Sequence, residues 1–207
     1  ETRIQAAITL SNFFFQSISA QSNLSTLDGR ARFIKLATEY LNQLPTGMLQ
    51  KMMFEELAKV PNIQAVKEST RDVTNVTRMR NKFKDRFSIL CGVDTLALEE
   101  LLLGADGWVA GLVCAFPAET VAVYKLAKAG KIAEATEIYR WFMPLLELDI
   151  HPKLVQYIKL AEAKTGIGSE IVRKPRLILE GEERKRIENI IDTGIKNRPV
   201  LPEFHTL

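Results

Sequence analysis

The chain has 207 residues, 46% of them hydrophobic, enough to bury the core of one domain or of one and a half. Its 28 basic and 25 acidic residues nearly balance at net +3, which argues against a nucleic-acid partner or a charged membrane surface. With two histidines, a His-based metal centre is disfavoured. Cys91 and Cys114 lie in apolar segments and read as reduced core residues of a cytoplasmic protein, without a disulfide framework.

Residues 4 to 20 mix apolar side chains with Ser, Asn and Gln. Arg3, the apolar run and Ser19-Ala20 have the outline of a secretory signal. However, an acid precedes them, and Ser11, Asn12 and Gln16 break the run. The pattern predicts an amphipathic helix with Ile4, Ala7, Ile8 and Phe15 inward. A polar loop over 22–30 follows, then helices over 30–44 (Phe33, Leu36, Ala37, Tyr40 and Leu44 on one face) and 48–60, separated by Pro45-Thr-Gly47. No run approaches the ~20 apolar residues of a membrane helix.

Asn62-Ile-Gln-Ala-Val-Lys-Glu-Ser-Thr70 reads as a buried strand, with Ile63, Ala65 and Val66 apolar and Lys67 delivered at its C-terminal end. In a parallel sheet that end is where chemistry is done. A lysine enclosed by apolar residues there loses hydration, spends more time neutral and can attack a ketone. Taken alone, a lysine leaving a strand reads as solvent-facing. The downstream order of elements shifts that balance. A helix over 71–83 carries Val73, Val76, Met79 and Phe83 inward and Arg78, Arg80 and Lys82 toward solvent. A strand follows at Ser88–Cys91, and then Gly92-Val-Asp94, where Asp94 can cap a helix over 95–103. Gly104-Ala-Asp-Gly107 turns the chain into a third strand over 108–113.

The remainder is helical. A hairpin of helices over 118–129 and 131–143 closes around Gly130, with Pro144 able to kink or restart the second. A helix over 149–165 places Leu154, Tyr157, Ile158 and Ala161 on one face, and Lys159 and Glu162 read as structural. An extended linker over 172–179 leads to a last helix over 180–195, with Ile187, Ile190 and Ile191 inward and the charges of Glu182 to Arg186 as solvent-facing pairs. Residues 197–207 read as a loose end.

The order Ala-Val-Lys67-Glu, Leu-Cys-Gly92-Val-Asp94 and Gly107-Trp-Val-Ala110-Gly111 resembles the C-terminal part of the dihydrodipicolinate synthase / N-acetylneuraminate lyase family. The resemblance runs from about Phe54 to the mid-190s. It implies a (β/α)8 TIM barrel, here incomplete, with about three C-terminal parallel strands, barrel elements over 54–118 and a helical region over 119–207, after an atypical, mostly helical segment (1–53) without family match. At 207 residues the chain is shorter than the roughly 250 of a complete barrel. The resemblance further implies Lys67 as the Schiff-base lysine, Gly92 and Asp94 at the substrate, and Ala110 and Gly111 on the pocket floor. The substrate would be pyruvate or another 2-oxo acid. No metal or external cofactor is implied, and oligomerisation, often tetrameric in the family, is. Glu68 is expected on the opposite face of the strand and not as a catalyst. The segment 154–162 is similar to members that deaminate 1-pyrroline-4-hydroxy-2-carboxylate. No family motif is found over 1–53: the family's carboxylate-binding Gly-Thr-Thr-Gly loop is absent, and Tyr40 does not carry its tyrosine motif. Two readings stand at this level. One is a lyase of the Schiff-base type. The other is a catalytically inactive barrel fragment acting at most as a binding or interaction module, because three parallel strands cannot close a barrel.

Overall fold

The computed structural model describes residues 10–23, 25–26, 28–29, 32, 55 and 58–203. The chain divides into two units, Glu1–Ile63 and Gln64–Leu207. In the first, α1 spans Leu10–Ser19 and buries Ile18, and the turn after it is held by the Asn23 carboxamide oxygen, which accepts from the Ser25 amide at 3.1 Å. The side chains of Ile4, Ala7, Ile8 and Phe15 lie outside the described residues. So do the helices expected over 30–44 and 48–60, apart from isolated positions.

The second unit starts as a strand–helix–strand–helix–strand run. β1 (Ala65–Glu68), β2 (Ser88–Cys91) and β3 (Gly107–Trp108) form a parallel sheet in that order, with Lys67 opposite Leu90 and Leu90 opposite Gly107. The crossovers are α2 (Thr74–Phe83), and a short 3-10 turn (Asp94–Leu96) running into α3 (Ala97–Leu102). Each strand is therefore followed by a helix that returns the chain for the next parallel strand, as an incomplete (β/α)8 barrel requires. β1 and β3 each have one strand neighbour among the described residues. That is why Ala65 is exposed and Val66 only half-buried, where the apolar pattern predicts full burial; the buried strand is the central one, with Ile89 2% and Cys91 0% exposed.

Two expectations are corrected in this region. β3 ends at Trp108, well short of Val113, and a 3-10 turn takes Leu112–Cys114. The Asp94 carboxylate captures the amides of Gly111 and Leu112, and the chain bends round it. Arg80, expected toward solvent, is instead half-buried. It donates to the carbonyls of Gly104 (2.9 Å), Lys84 and Phe87 (both 3.2 Å) and pairs with Asp106, whose carboxylate accepts from the Ile89 amide at 2.6 Å. It fastens the end of α2 to the turn before β3.

The helical layer is α4 (Pro117–Lys128), α5 (Ile132–Leu146), a 3-10 turn (Glu147–Ile150), α6 (Leu154–Thr165) and α7 (Gly181–Lys196). Gly130 closes the α4–α5 hairpin at φ 74°, and α5 continues through Pro144 for a further half turn. Phe116, Phe142, Tyr157, Ile187 and Ile191 fill the core between these helices. α7 packs closely on α5 at Gly194, whose carbonyl accepts from Trp141 Nε1 at 3.1 Å. The C-terminal stretch is anchored at its start, where Arg198 pairs with the buried carboxylate of Glu119 at 2.8 Å and stacks over Phe116, while Val200 beyond it is exposed. Among the described residues no helix is long and apolar enough to cross a membrane.

Candidate active site

Lys67 is the third residue of β1, and its neighbour Glu68 turns to the other face of the sheet, as strand alternation requires. There Glu68 is 2% exposed and accepts from the Thr70 amide (2.9 Å), the Thr70 hydroxyl and Asn75 Nδ2 (3.0 Å). Behind it lies Glu100, fully buried, with no hydrogen-bond partner among the described residues. Burial, reinforced by the nearby Glu68 charge, pushes the Glu100 carboxyl up to about 7.

On the front face Lys67 lines a cavity of about 520 Å³, within the size range of small-molecule sites. Gly92, from the end of β2, and Ala110 and Gly111, from the end of β3, line the same cavity. The lysine side chain itself is exposed, so the apolar enclosure expected from the sequence is not built by its neighbours in residues 64–203. Gly92 has no room for a side chain: a Cβ would lie 2.1 Å from Ser69 Oγ, 2.6 Å from the Glu68 carbonyl and 2.7 Å from Lys67 Cε. The missing side chain lets the β2 exit close against the shank of the lysine.

Asp94 is neither a helix cap nor a wall of the cavity. No side-chain cap bond forms at the following turn, and the residue is fully buried. Its carboxylate accepts from Trp108 Nε1 at 2.9 Å, from the Gly111 amide at 3.1 Å to each oxygen, and from the Leu112 amide at 2.9 Å. Its carbonyl accepts from the Tyr139 hydroxyl at 2.8 Å. It therefore stands behind the site and fixes the loop that carries Ala110 and Gly111.

Asp149 is an ionisable cavity residue that sequence reasoning missed. Its carboxyl lies directly over Gly111, where a Cβ would be 2.1 Å from Oδ1. Burial, helped by the Asp94 charge and opposed by Lys67, pushes it up to about 6. In the sequence it opens a stretch that reads as helical, where an aspartate signals an N-cap. No local signal marks it as a pocket residue. Lys159 and Glu162, read as structural, also line the cavity, held to each other at 2.5 Å. Cys91 is buried and its thiol is pushed up by that burial, whereas Cys114 is exposed at the cavity and is not a core residue.

Residues 41–193 match the dihydrodipicolinate synthetase family. The chain belongs to this family. A shorter match, over 11–60, is to the DnaB-helicase binding domain of primase and covers a minor part of the chain. Among curated relatives, 4-hydroxy-tetrahydrodipicolinate synthase of Pelodictyon phaeoclathratiforme is 28% identical over 64% of this chain and 45% of its own length. The enzyme of the same name from Chlorobium phaeovibrioides is 31% identical over 61% and 43%. The chain thus spans about half the length of the curated relatives it matches. The solved 4-hydroxy-tetrahydrodipicolinate synthase of Methylacidiphilum fumariolicum SolV superposes with a TM-score of 0.60 at 29% identity, over 65% of this chain and 45% of that one. Dihydrodipicolinate synthase of Acinetobacter baumannii, solved with pyruvate, superposes with 0.60 at 25% identity, over 67% and 48%. These dihydrodipicolinate synthetase family neighbours support the architecture built above, a parallel β/α unit representing the C-terminal part of the family barrel.

Proposed function

We propose that this chain is the lysine-bearing part of a Schiff-base lyase, with Lys67 forming an imine to a 2-oxo acid such as pyruvate. The observation that carries this reading is the convergence in one cavity of Lys67, Gly92, Ala110 and Gly111, from the C-terminal ends of three successive parallel strands. A protonated imine at Lys67 is an electron sink that stabilises a carbanion at the adjacent carbon, so carbon–carbon or carbon–heteroatom bonds there can break or form without a metal. The pyruvate found in the Acinetobacter relative supports the same substrate class.

The finer assignment, deamination of 1-pyrroline-4-hydroxy-2-carboxylate, rests on the likeness of segment 154–162. Leu154, Val155, Ile158, Lys159 and Glu162 of that segment line the cavity, which supports a part for it in substrate choice. The test of the general reading is reductive trapping. Millimolar pyruvate with borohydride leaves a stable adduct on Lys67, found by peptide mass, and Lys67→Ala abolishes it. If the wild-type chain takes up no adduct, the lyase reading falls. A second reading, an inactive fragment that serves as a binding module, is favoured by the exposure of Lys67, and that negative result would favour it. By family analogy we also propose self-association, to be read by sedimentation.

A further inference from the structure

We infer that Asp149 is a catalytic residue of this site, the proton donor that expels water when the lysine imine forms; this deepens the Schiff-base reading and rests on it. Three independent observations converge on the residue. Asp149 lines the cavity that holds Lys67. Its carboxyl occupies the place a side chain at position 111 would take, so the glycine there is what admits it. Among the described residues that carboxyl accepts no hydrogen bond, in contrast to its two acidic neighbours. Glu162 is tied to Lys159 at 2.5 Å, and Asp94 is saturated by Trp108, Gly111 and Leu112. A half-buried carboxyl that accepts no hydrogen bond among the described residues, on the cavity that Lys67 also lines, is free to exchange a proton with what binds there.

The step balances as follows. The neutral Lys67 amine attacks the ketone carbon, a C–N bond forms, and the carbonyl π pair moves to oxygen. The proton on nitrogen passes to that oxygen through solvent, which gives a neutral carbinolamine. Asp149 then gives its proton to the hydroxyl, the C–O bond breaks, water leaves, and the nitrogen lone pair closes the C=N bond of the protonated imine. Asp149 remains as a carboxylate and regains its proton from solvent. The groups that face it are Lys67 from β1, Asp94 from behind the β2 exit, Cys114 from the β3 exit and the Lys159–Glu162 pair from α6. Burial and the Asp94 charge keep the Asp149 proton on until about pH 6, against the pull of Lys67. The donor is therefore available in mildly acidic to near-neutral solution.

The experiment follows the rate of pyruvate–borohydride trapping on Lys67 in the 207-residue chain between pH 5 and 8. The wild-type rate is expected to inflect near pH 6. Asp149→Asn is expected to lower it at least tenfold and to remove the inflection, with far-UV circular dichroism unchanged. Asp149→Ala leaves space for a small acid, and added formate is expected to restore its rate, a response a packing role would not give. An Asp149→Asn chain that traps at the wild-type rate with the wild-type profile overturns the assignment, as does an Asp149→Ala chain that folds and ignores formate. Absence of trapping in the wild-type chain overturns the Schiff-base reading itself, a distinguishable outcome.

Discussion

At the scale of single residues, the decisive distinction is between the two aspartates near Lys67. Asp94 has three N–H donors on its carboxylate and no exposed surface, whereas Asp149 has an open face on the cavity. The first arrangement is structural. Replacing Asp94 with Asn keeps the shape but turns an NH2 toward N–H donors, leaving buried donors short of an acceptor. The expected loss is roughly 2–4 kcal/mol, since hydrogen bonds to a charged acceptor are each worth about 1.5–3 and an orphaned donor adds its own cost. Urea denaturation of Asp94→Asn against wild type measures it, and an unchanged midpoint would refute the clasp. The sequence marks Lys67 by its place at a strand end, whereas Gly92, Ala110 and Gly111 were offered only through the family resemblance, since no local signature assigns them to a pocket. It could not offer Asp149, which reaches the site only because the 3-10 turn after α5 packs against the exit of β3.

At the scale of elements, helices were legible wherever an apolar face repeats at helical spacing. Val76 and Met79 in α2, Tyr157, Ile158 and Ala161 in α6, and Ile187 and Ile191 in α7 are all buried as the periodicity predicts. The illegible parts have a common cause, a polar group finding a distant partner. Asp94 shortens β3, Arg80 turns inward to the Gly104 turn, and Arg198 anchors to Glu119, and none of these pairings has a local period. Gly194 gives a test of helix packing. Alanine in a helix interior ordinarily gains about 0.5–1 kcal/mol over glycine. Here a Cβ would lie 2.6 Å from Leu145 Cδ1 and 3.1 Å from Leu145 Cγ, in a core where Leu145 is 1% exposed. Overpacking of this kind costs about 1–3 kcal/mol and reverses the sign. Gly194→Ala is expected to lower the thermal midpoint; a rise would mean that α7 can move away from α5 without loss.

At the scale of the whole molecule, stability should depend on pH through the carboxyl buried behind the sheet. Glu100 has an ordinary value near 4.5 and is pushed up to about 7 when folded. A carboxyl raised in this way binds its proton more tightly folded than unfolded. The associated stability is fully present below the unfolded value and is lost as pH rises through about 7. Asp149 acts in the same sense up to about 6. The chain is therefore expected to lose stability between pH 5 and 8. Glu100→Gln, which cannot ionise, should recover about 1–3 kcal/mol at pH 8 and flatten, without abolishing, the slope. Parallel pH curves for the two chains would show that Glu100 plays no such part.

The three-donor grip of Asp94 has a kinetic corollary. One oxygen pair ties the exit of the second strand to the exit of the third, and through its own backbone to a tyrosine of the helical hairpin. These walls cannot loosen one at a time. Any breathing that widens the lysine's chamber from this side must release the whole knot together, so opening there should be a rare, concerted event, with amide exchange at Gly111 and Leu112 keeping the same slow clock.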